Sequence, residues 1–336
     1  MSKPVLEIKN LNVEYKSKAT VFNKEKIVKA VNNLSLEINQ GEIIAIAGES
    51  GCGKSTLGNA ISRLVPIKSG EILFHGVDIL KLKGRKLKVY RQALQMVFQN
   101  PYSSLNPKMK IGDILKEPLR VNSELCIYSE DYRPLHELSN GEIDEIITQV
   151  LETVGLDKRA KDLYPHEFSG GQRQRIAIAR ALILKPEFII ADEPVSALDV
   201  SIQAQIINLL IQLKKEFNLT VMFISHDMNV IRHIADRVAI MYLGQIVEIG
   251  STEQVFKFPQ HPYTRALLNA VPSFDKKEKI LLKGDIPSPT DLPKGCKFHT
   301  RCIYCLDKCK EEEPQLKQHF ENHCVACFLN DDNNDL

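Results

Sequence analysis

The sequence predicts an α/β fold organised around a parallel β-sheet, and three observations support that prediction. Short apolar segments rich in β-branched residues have the character of buried strands, namely EIIAIAG (42–48), FIIADE (188–193) and TVMFIS (220–225). The segment IQAQIINLLIQLKKEF (202–217) has apolar residues at helical spacing and is predicted to be a crossover helix. A glycine-rich turn stands between the first strand and another predicted helix, TLGNAISRLV (56–65). Strands that alternate with helices in this way are typical of parallel sheets.

The composition is that of a globular protein with a sizeable core. Hydrophobic residues make up 43% of the 336-residue chain and charged residues 26%, and the net charge is only +2. This near-balance gives no support to a nucleic-acid partner. The start, MSKPVLEIKN, lacks the apolar stretch of a secretory signal, and no apolar run approaches the roughly 18 residues of a membrane span. We therefore expect a cytosolic chain, in which thiols stay reduced.

The predicted elements divide the chain into a large domain, residues 1–258, and a C-terminal extension, 259–336. Strand signals fade between about 100 and 186, where DEIITQVLETVGL (144–156) and GQRQRIAIARALIL (171–184) are predicted helices. This pattern indicates a helical subdomain inserted in the α/β domain. Residues 122–143 are polar and receive no assignment. The extension is rich in proline and poor in apolar residues, so we expect it to need outside support for its fold.

The glycine-rich turn, GESGCGKST (48–56), fits the phosphate-loop pattern G-x-x-x-x-G-K-[ST]. Its glycines allow successive backbone N–H groups to point at phosphate oxygens, and the following helix adds its partial positive charge. Lys54 is expected to reach the β and γ phosphates of ATP, and Ser55 to ligate Mg²⁺. The residues predicted to contact the nucleotide are Gly48, Ser50, Gly51, Gly53, Lys54, Ser55 and Thr56.

Two acidic residues end the predicted strand FIIADE, at the sheet edge where open α/β sheets bind ligands. Asp192 is predicted to hold Mg²⁺, largely through water. Glu193 is the better candidate for the general base that polarises the attacking water.

The segment FSGGQRQRIAIARAL (168–182) has a serine and two glycines at a predicted helix N-terminus. Such a helix N-terminus can bind an anion, as the phosphate loop does. A chain with one complete phosphate loop does not need another for the same nucleotide. We therefore predict that Ser169, Gly170 and Gly171 meet the γ phosphate of ATP bound to a different subunit. Two chains would then enclose two ATP molecules between them.

With the phosphate loop, the acidic strand end and the serine-glycine turn, the chain resembles the ATP-binding subunits of ATP-binding-cassette (ABC) transporters. The S-G-G-Q core of the family signature stands at Ser169–Gln172, preceded by Phe168 where leucine is more usual. The resemblance implies a P-loop NTPase (RecA-like) core with an ABC β-subdomain and a helical subdomain insertion. It also implies further site residues: Gln99 at Mg²⁺ and the attacking water, Asp199 of SALD (196–199) linking the two sites, His226 of ISHD on the γ phosphate, and Tyr15 stacked on adenine, with Phe22 as a competitor for that role.

The second half of the chain resembles the oligopeptide/dipeptide importer branch, which also includes nickel and glutathione importers. The matching segments are NPYSSLNPKMKIGDIL (100–115), HPYTRALLNAVPS (261–273) and IPSPTDLPKGCKFHTRC (286–302). The resemblance implies a peripheral ATPase on the cytoplasmic face of the membrane. Its implied partners are a second related ATPase, two permease subunits and an external solute-binding protein.

Alternatives to peptide import remain open from the sequence. Nickel, glutathione and oligosaccharide are other possible cargoes. An ABC ATPase of DNA repair or translation is disfavoured, because the chain lacks the long insertions or the second cassette of those relatives. A non-catalytic regulatory subunit is disfavoured by the intact Lys54, Asp192, Glu193 and His226.

Six of the eight cysteines lie between Cys296 and Cys327. Spacing alone favours a four-thiolate zinc site made of two C-x-x-C pairs, Cys302, Cys305, Cys324 and Cys327. The family resemblance implies instead a [4Fe–4S] cluster on Cys296, Cys302, Cys309 and Cys327, as some relatives hold one there; reduced thiols without metal are a third reading. His299, His319 and His323 are expected to be solvated rather than ligands, and Cys52 and Cys126 to be ordinary thiols.

Overall fold

The computed structural model describes residues 4–16, 26–100, 104–122, 134–270 and 284–331. The chain forms two compact units, Met1–Leu80 with Phe223–Leu336, and Lys81–Met222. Phe22, Cys126 and residues 123–133 of the polar segment lie outside the described residues. None of the helices in the described ranges is both long and apolar enough to cross a bilayer.

The described secondary structure alternates strands and helices along the chain. The strands are β1 (Pro4–Lys16), β2 (Ile27–Asn39), β3 (Ile43–Ala47), β4 (Ser69–Phe74), β5 (Val77–Asp78), β6 (Leu94–Val97), β7 (Phe188–Asp192), β8 (Thr220–Ile224), β9 (Arg237–Tyr242), β10 (Gln245–Ser251), β11 (Lys317–Phe320) and β12 (His323–Val325). The helices are α1 (Lys54–Ile61), α2 (Gly84–Ala93), α3 (Ile111–Val121), α4 (Asn140–Thr153), α5 (Gly170–Leu182), α6 (Val200–Phe217), α7 (Met228–Ile234), α8 (Thr252–Lys257), α9 (Pro262–Asn269) and α10 (Lys308–Glu311).

The predicted strands and helices are confirmed. β3, β7 and β8 coincide with the three apolar segments, and all five residues of each are buried because their side chains pack on both faces of the sheet. The crossover helix is α6, and the two helices predicted between residues 100 and 186 are α4 and α5. Within the described part of that interval there is no strand, as expected of a helical insertion.

The first unit contains an antiparallel sheet with strand order β2-β1-β4-β5. β1 and β2 bury alternate side chains along part of their length, as strands with one buried face do. A second series of strands runs β11-β12-β10-β9-β3, in which β3 and β9 are parallel and the other pairs are antiparallel.

The described part of the C-terminal extension packs within the first unit. Its strands β11 and β12 extend the β9–β10 ladder, with Val325 opposite Glu248. Phe298 is 2% exposed and belongs to a buried cluster with Tyr242 and Tyr263. The extension therefore obtains its core by packing apolar side chains, among them Phe298 and those of its own helix α9, against β9 and β10.

The second unit holds the helical insertion and a short parallel pair of strands. β6 and β7 pair in register from Leu94↔Phe188 to Val97↔Ala191. α5 contacts β6 and α6, and α3, α4 and α5 contact one another. This packing fixes the carboxyl end of β7 and the amino end of α5, where predicted site residues lie.

Candidate functional site

The phosphate loop joins β3 to α1 in the first unit, and its glycines are required by its geometry. Gly48, Gly51 and Gly53 have φ of 149°, 79° and 106°, in the region that disfavours side chains. A Cβ at Gly48 would overlap the carbonyl oxygen of Met241, and one at Gly53 would overlap that of Ala30. The backbone is therefore curled at positions that only glycine occupies without strain.

Lys54 is the first residue of α1 and is only 5% exposed. Its Nζ donates hydrogen bonds to the carbonyl oxygens of Gly48 and Glu49, at 2.7 and 3.0 Å. No side chain of the described residues caps the start of α1. The helix thus begins without a side-chain cap and beside a lysine, which is the arrangement that binds phosphate. The structure brings the predicted residues Gly48 to Thr56 together in this loop, with Ser50 and Ser55 exposed.

The acidic end of β7 lies in the second unit. Asp192 is the last residue of the strand and is 7% exposed, and Glu193 follows it with a φ of 45°. A non-glycine residue in this left-handed region is uncommon and is concentrated at functional sites. Gln99 Nε2 donates a hydrogen bond to Glu193 Oε2 at 2.7 Å. Two of the three predicted catalytic residues, Gln99 and Glu193, are therefore hydrogen-bonded to each other.

The serine-glycine turn begins α5 with a capping box. Ser169 Oγ accepts the N–H of Gln172 at 3.3 Å, and Gln172 Oε1 accepts the N–H of Ser169 at 2.9 Å. Because the Ser169 oxygen serves as the acceptor, its O–H hydrogen can be directed to a ligand. Gly171 packs closely on α6, where a Cβ would overlap Ile202 Cγ2. Ser169 and Gln172 are exposed.

The remaining predicted residues lie at element boundaries. Asp199 caps α6 by accepting the N–H of Ile202 at 3.0 Å and the hydroxyl of Ser201 at 2.9 Å. These hydrogen bonds, with that from the Ile202 backbone the largest cause, lower the pKa of Asp199 below its ordinary value. His226 is exposed between β8 and α7, and Tyr15 is 37% exposed in β1, opposite Val28 of β2. Their roles toward ATP stay predictions.

Four cysteines of the extension line one narrow cavity of about 10 Å³: Cys296, Cys302, Cys309 and Cys327. Burial raises the pKa of Cys296 to about 11 and that of Cys327 to about 12. The N–H groups of Phe298 and Leu329 act in the opposite direction on these two thiols.

The other two cysteines of the extension do not line this cavity, and Cys305 interacts with the lining residue Cys309 from outside it. Cys324 pairs with Ile249 of β10, and neither it nor Cys305 contributes to the lining. Among the described residues no three His, Cys, Asp or Glu side chains are close enough to hold a single metal ion. Cys302 and Cys327 line this cavity but Cys305 and Cys324 do not, so the four thiolates of the zinc site suggested by spacing are not brought together.

Two residues near the phosphate loop are marked by no local sequence pattern. Arg301 of the extension forms an ion pair with Glu49 at 2.8 Å, and the Tyr263 hydroxyl accepts the N–H of Glu49 at 2.9 Å. Arg301 and Glu49 are 252 positions apart. The only sequence signal was indirect, since both Tyr263 and Arg301 fall within segments that resemble the importer branch.

Comparisons with known proteins agree with these features. Residues 31–196 match the family described as ABC transporter, and residues 247–309 match the oligopeptide/dipeptide transporter C-terminal region. The chain is 48% identical over 332 residues to the oligopeptide transport ATP-binding protein AppF of Bacillus subtilis, and the match covers 97% of each chain. It is 46% identical over 328 residues to the dipeptide transport ATP-binding protein DppF of Haemophilus influenzae, covering 97% of this chain and 96% of that protein.

The fold of this chain resembles that of an ATP-binding cassette solved as a dimer in a post-hydrolysis state bound to ADP and Pi. That match has a TM-score of 0.62 and 30% identity, and covers 74% of this chain and 98% of that one.

Proposed function

Because the chain belongs to the ABC transporter family, in the branch of oligopeptide and dipeptide transport ATP-binding proteins, we propose specific roles for its site residues. The chain is the ATP-hydrolysing subunit of a peptide importer and works with membrane permease subunits and a solute-binding protein. Residues 1–258 form the nucleotide-binding domain, with the helical subdomain at about 100–186, and residues 259–336 form the extension.

The proposed chemistry assigns binding to the phosphate loop and hydrolysis to the end of β7. Lys54 and the N–H groups of the loop bind the β and γ phosphates, and Ser55 and Asp192 hold Mg²⁺. Glu193 takes the proton of the attacking water while Gln99 orients it. The observation that carries this assignment is the 2.7 Å hydrogen bond from Gln99 to Glu193, at a residue with left-handed backbone geometry. His226 contacts the γ phosphate and Tyr15 stacks on adenine.

The proposed assembly is a face-to-face pair of ATPase subunits on the cytoplasmic face of the membrane. Ser169, Gly170, Gly171 and Gln172 close on ATP held by the other subunit, and Asp199 links the two sites. The second ATPase is a related but distinct chain, so the pair is a heterodimer. The dimeric state of the matched cassette with ADP and Pi bound is consistent with this arrangement.

Replacement Ser169→Ala tests the face-to-face arrangement. The change removes the helix cap, which costs about 1 kcal/mol of stability, and it removes the hydroxyl proposed to donate to the γ phosphate. We expect ATP-dependent association of the ATPase subunits to weaken roughly tenfold or more, since a hydrogen bond to a charged group is lost. Sedimentation in the presence of ATP measures this association.

A matched control is available in α4, which begins with the same kind of capping box. Ser139 Oγ accepts the N–H of Glu142 at 3.2 Å, and Glu142 accepts the N–H of Ser139 at 2.7 Å. Ser139→Ala should lower the melting temperature as Ser169→Ala does but leave association unchanged. Equal association for both variants and the wild type would contradict the proposed role of Ser169.

We also propose that Cys296, Cys302, Cys309 and Cys327 hold a [4Fe–4S] cluster. The observation that supports this proposal is that four cysteine sulphurs, the ligands that iron–sulfur clusters take, line one cavity of the extension. Because burial raises the pKa of Cys296 and Cys327, cluster binding would release the protons of these thiols. When bound, the cluster would cross-link these segments and stabilise an extension with few apolar residues.

Anaerobically purified protein is therefore expected to be brown, with iron and inorganic sulphide bound. Cys309→Ser should lose most of the iron and lower the melting temperature, because Cys309 is a buried lining residue. Cys324→Ser is the control and should retain the iron, since Cys324 lies outside the cavity lining. Colourless protein with stoichiometric zinc would contradict the proposal.

A further inference from the structure

Glu49, the second residue of the phosphate loop, is held at three points. Its backbone N–H donates to the Tyr263 hydroxyl at 2.9 Å, and its carbonyl oxygen accepts from Lys54 at 3.0 Å. Its carboxylate accepts two hydrogen bonds from the Arg301 guanidinium, at 2.8 and 3.1 Å. Paired contacts between a guanidinium and a carboxylate are strong and directional. The conformation of the loop at Glu49 is therefore constrained by contacts from outside the loop as well as within it.

Two of the three contacts come from the part of the chain beyond residue 258. Tyr263 lies in α9 and is fully buried, and Arg301 is 7% exposed. The Arg301 guanidinium carbon lies 6.0 Å from the centre of the Tyr242 ring, and Tyr242 packs against Tyr263 with ring centres 4.7 Å apart. Phe298 completes this aromatic cluster, 5.3 Å from Tyr242. The packing of this aromatic cluster therefore fixes the positions of the Arg301 guanidinium and the Tyr263 hydroxyl, the two groups that contact Glu49.

The protonation states of both residues are stable across the physiological pH range. Hydrogen bonding to Glu49 raises the pKa of Arg301 above its ordinary value, so the guanidinium remains charged. Burial raises the pKa of Tyr263, so its hydroxyl remains neutral. Arg301 and Tyr263 therefore keep their protonation states near neutral pH.

The negative charge of Glu49 explains why a positively charged partner such as Arg301 is needed. A carboxylate in a phosphate loop places a negative charge close to the site of a triphosphate, and like charges at short range repel strongly when solvent is partly excluded. The side chain of Arg301 is 6% exposed and that of Glu49 is 24% exposed, so solvent screens the pair only in part. Pairing with Arg301 offsets the charge of the carboxylate and holds it in a defined position.

We infer that Arg301 and Tyr263 are positioning residues through which the C-terminal extension sets the ATP affinity of the phosphate loop. Arg301 neutralises Glu49, and Tyr263 fixes its backbone. This inference rests on the proposed nucleotide-binding role of the loop. The turn around Arg301 is itself ordered by the Arg301 N–H to Phe298 hydrogen bond at 3.0 Å, so the fold of the cysteine region determines where the guanidinium lies.

The test compares Arg301→Gln, Glu49→Gln and the double variant in the full-length protein. Arg301→Gln should weaken Mg-ATP binding, measured by calorimetry, by about fivefold or more. It should raise KM for ATP with little change in kcat, because the affected contact does not touch the reacting atoms. The double variant should regain most of the lost affinity, since no unpaired carboxylate remains beside the phosphates.

A matched control is Arg237→Gln, which removes the guanidinium of another ion pair in the same unit. Arg237 binds Glu42 at 2.9 Å and contacts no residue of the phosphate loop among the described hydrogen bonds. This variant should bind Mg-ATP like the wild type, with any cost confined to the melting temperature. Tyr263→Phe keeps the aromatic packing but removes the acceptor for the Glu49 N–H, and it should also weaken binding.

Three outcomes separate this inference from the proposed function. If the wild type binds Mg-ATP and Arg301→Gln binds it with the same affinity, the inference is overturned but the proposed function is not. A double variant as weak as Arg301→Gln would overturn charge neutralisation as the cause. Failure of the wild type itself to bind Mg-ATP would instead overturn the proposed role of the loop.

Discussion

Replacement of Glu193 by glutamine is expected to reduce the kcat of ATP hydrolysis by about a hundredfold to ten-thousandfold, the usual contribution of a general base. Glutamine has nearly the size of glutamate, and its carbonyl oxygen still accepts the hydrogen bond that Gln99 donates to Glu193 at 2.7 Å. The amide cannot accept a proton from water. ATP binding should therefore persist, and the variant should accumulate in the ATP-bound, associated state. Phosphate release at saturating ATP and equilibrium binding of Mg-ATP measure the two quantities separately.

Glu187→Gln is a suitable control for that experiment. Glu187 is exposed and directly precedes Phe188, the first residue of β7, whereas Glu193 follows the last residue of the same strand. Removing this charge should leave kcat at the wild-type value. Undiminished hydrolysis in Glu193→Gln would mean that another group takes the proton.

Replacement of Lys54 by alanine is expected to weaken Mg-ATP binding roughly tenfold to a hundredfold, as a charge-assisted hydrogen bond to the phosphates is lost. The ammonium group also donates to the carbonyl oxygens of Gly48 and Glu49 at 2.7 and 3.0 Å, so the loop loses internal support as well. Both effects act on binding. Calorimetric titration with Mg-ATP should show the loss.

Lys68→Ala provides the comparison for Lys54→Ala. Lys68 forms a surface ion pair with Glu14 at 2.7 Å, and its side chain is 58% exposed. Exposed pairs contribute about 0–1 kcal/mol, so neither stability nor ATP binding should change much. If Lys54→Ala binds Mg-ATP as tightly as Lys68→Ala, the phosphate loop is not the nucleotide site.

The sequence determined those features that depend on neighbouring residues. Three fully buried strands follow from short β-branched runs, and the curl of the phosphate loop follows from Gly48, Gly51 and Gly53. Ser169 and Gln172 are three residues apart and cap one helix end, so their pairing is also local. In each case the interacting groups lie within one turn or one strand, so the order of residues fixes the geometry.

Tertiary structure alone decided which distant residues meet. Gln99 reaches Glu193 across 94 positions, and Arg301 reaches Glu49 across 252. The four cysteines that share a cavity are the set implied by the family resemblance, and the tertiary structure separates this set from the two C-x-x-C pairs that spacing alone favoured. These contacts depend on how strands pair and where the extension packs. Such arrangements come from burial of apolar side chains summed over a whole unit, and no single segment of the chain encodes them.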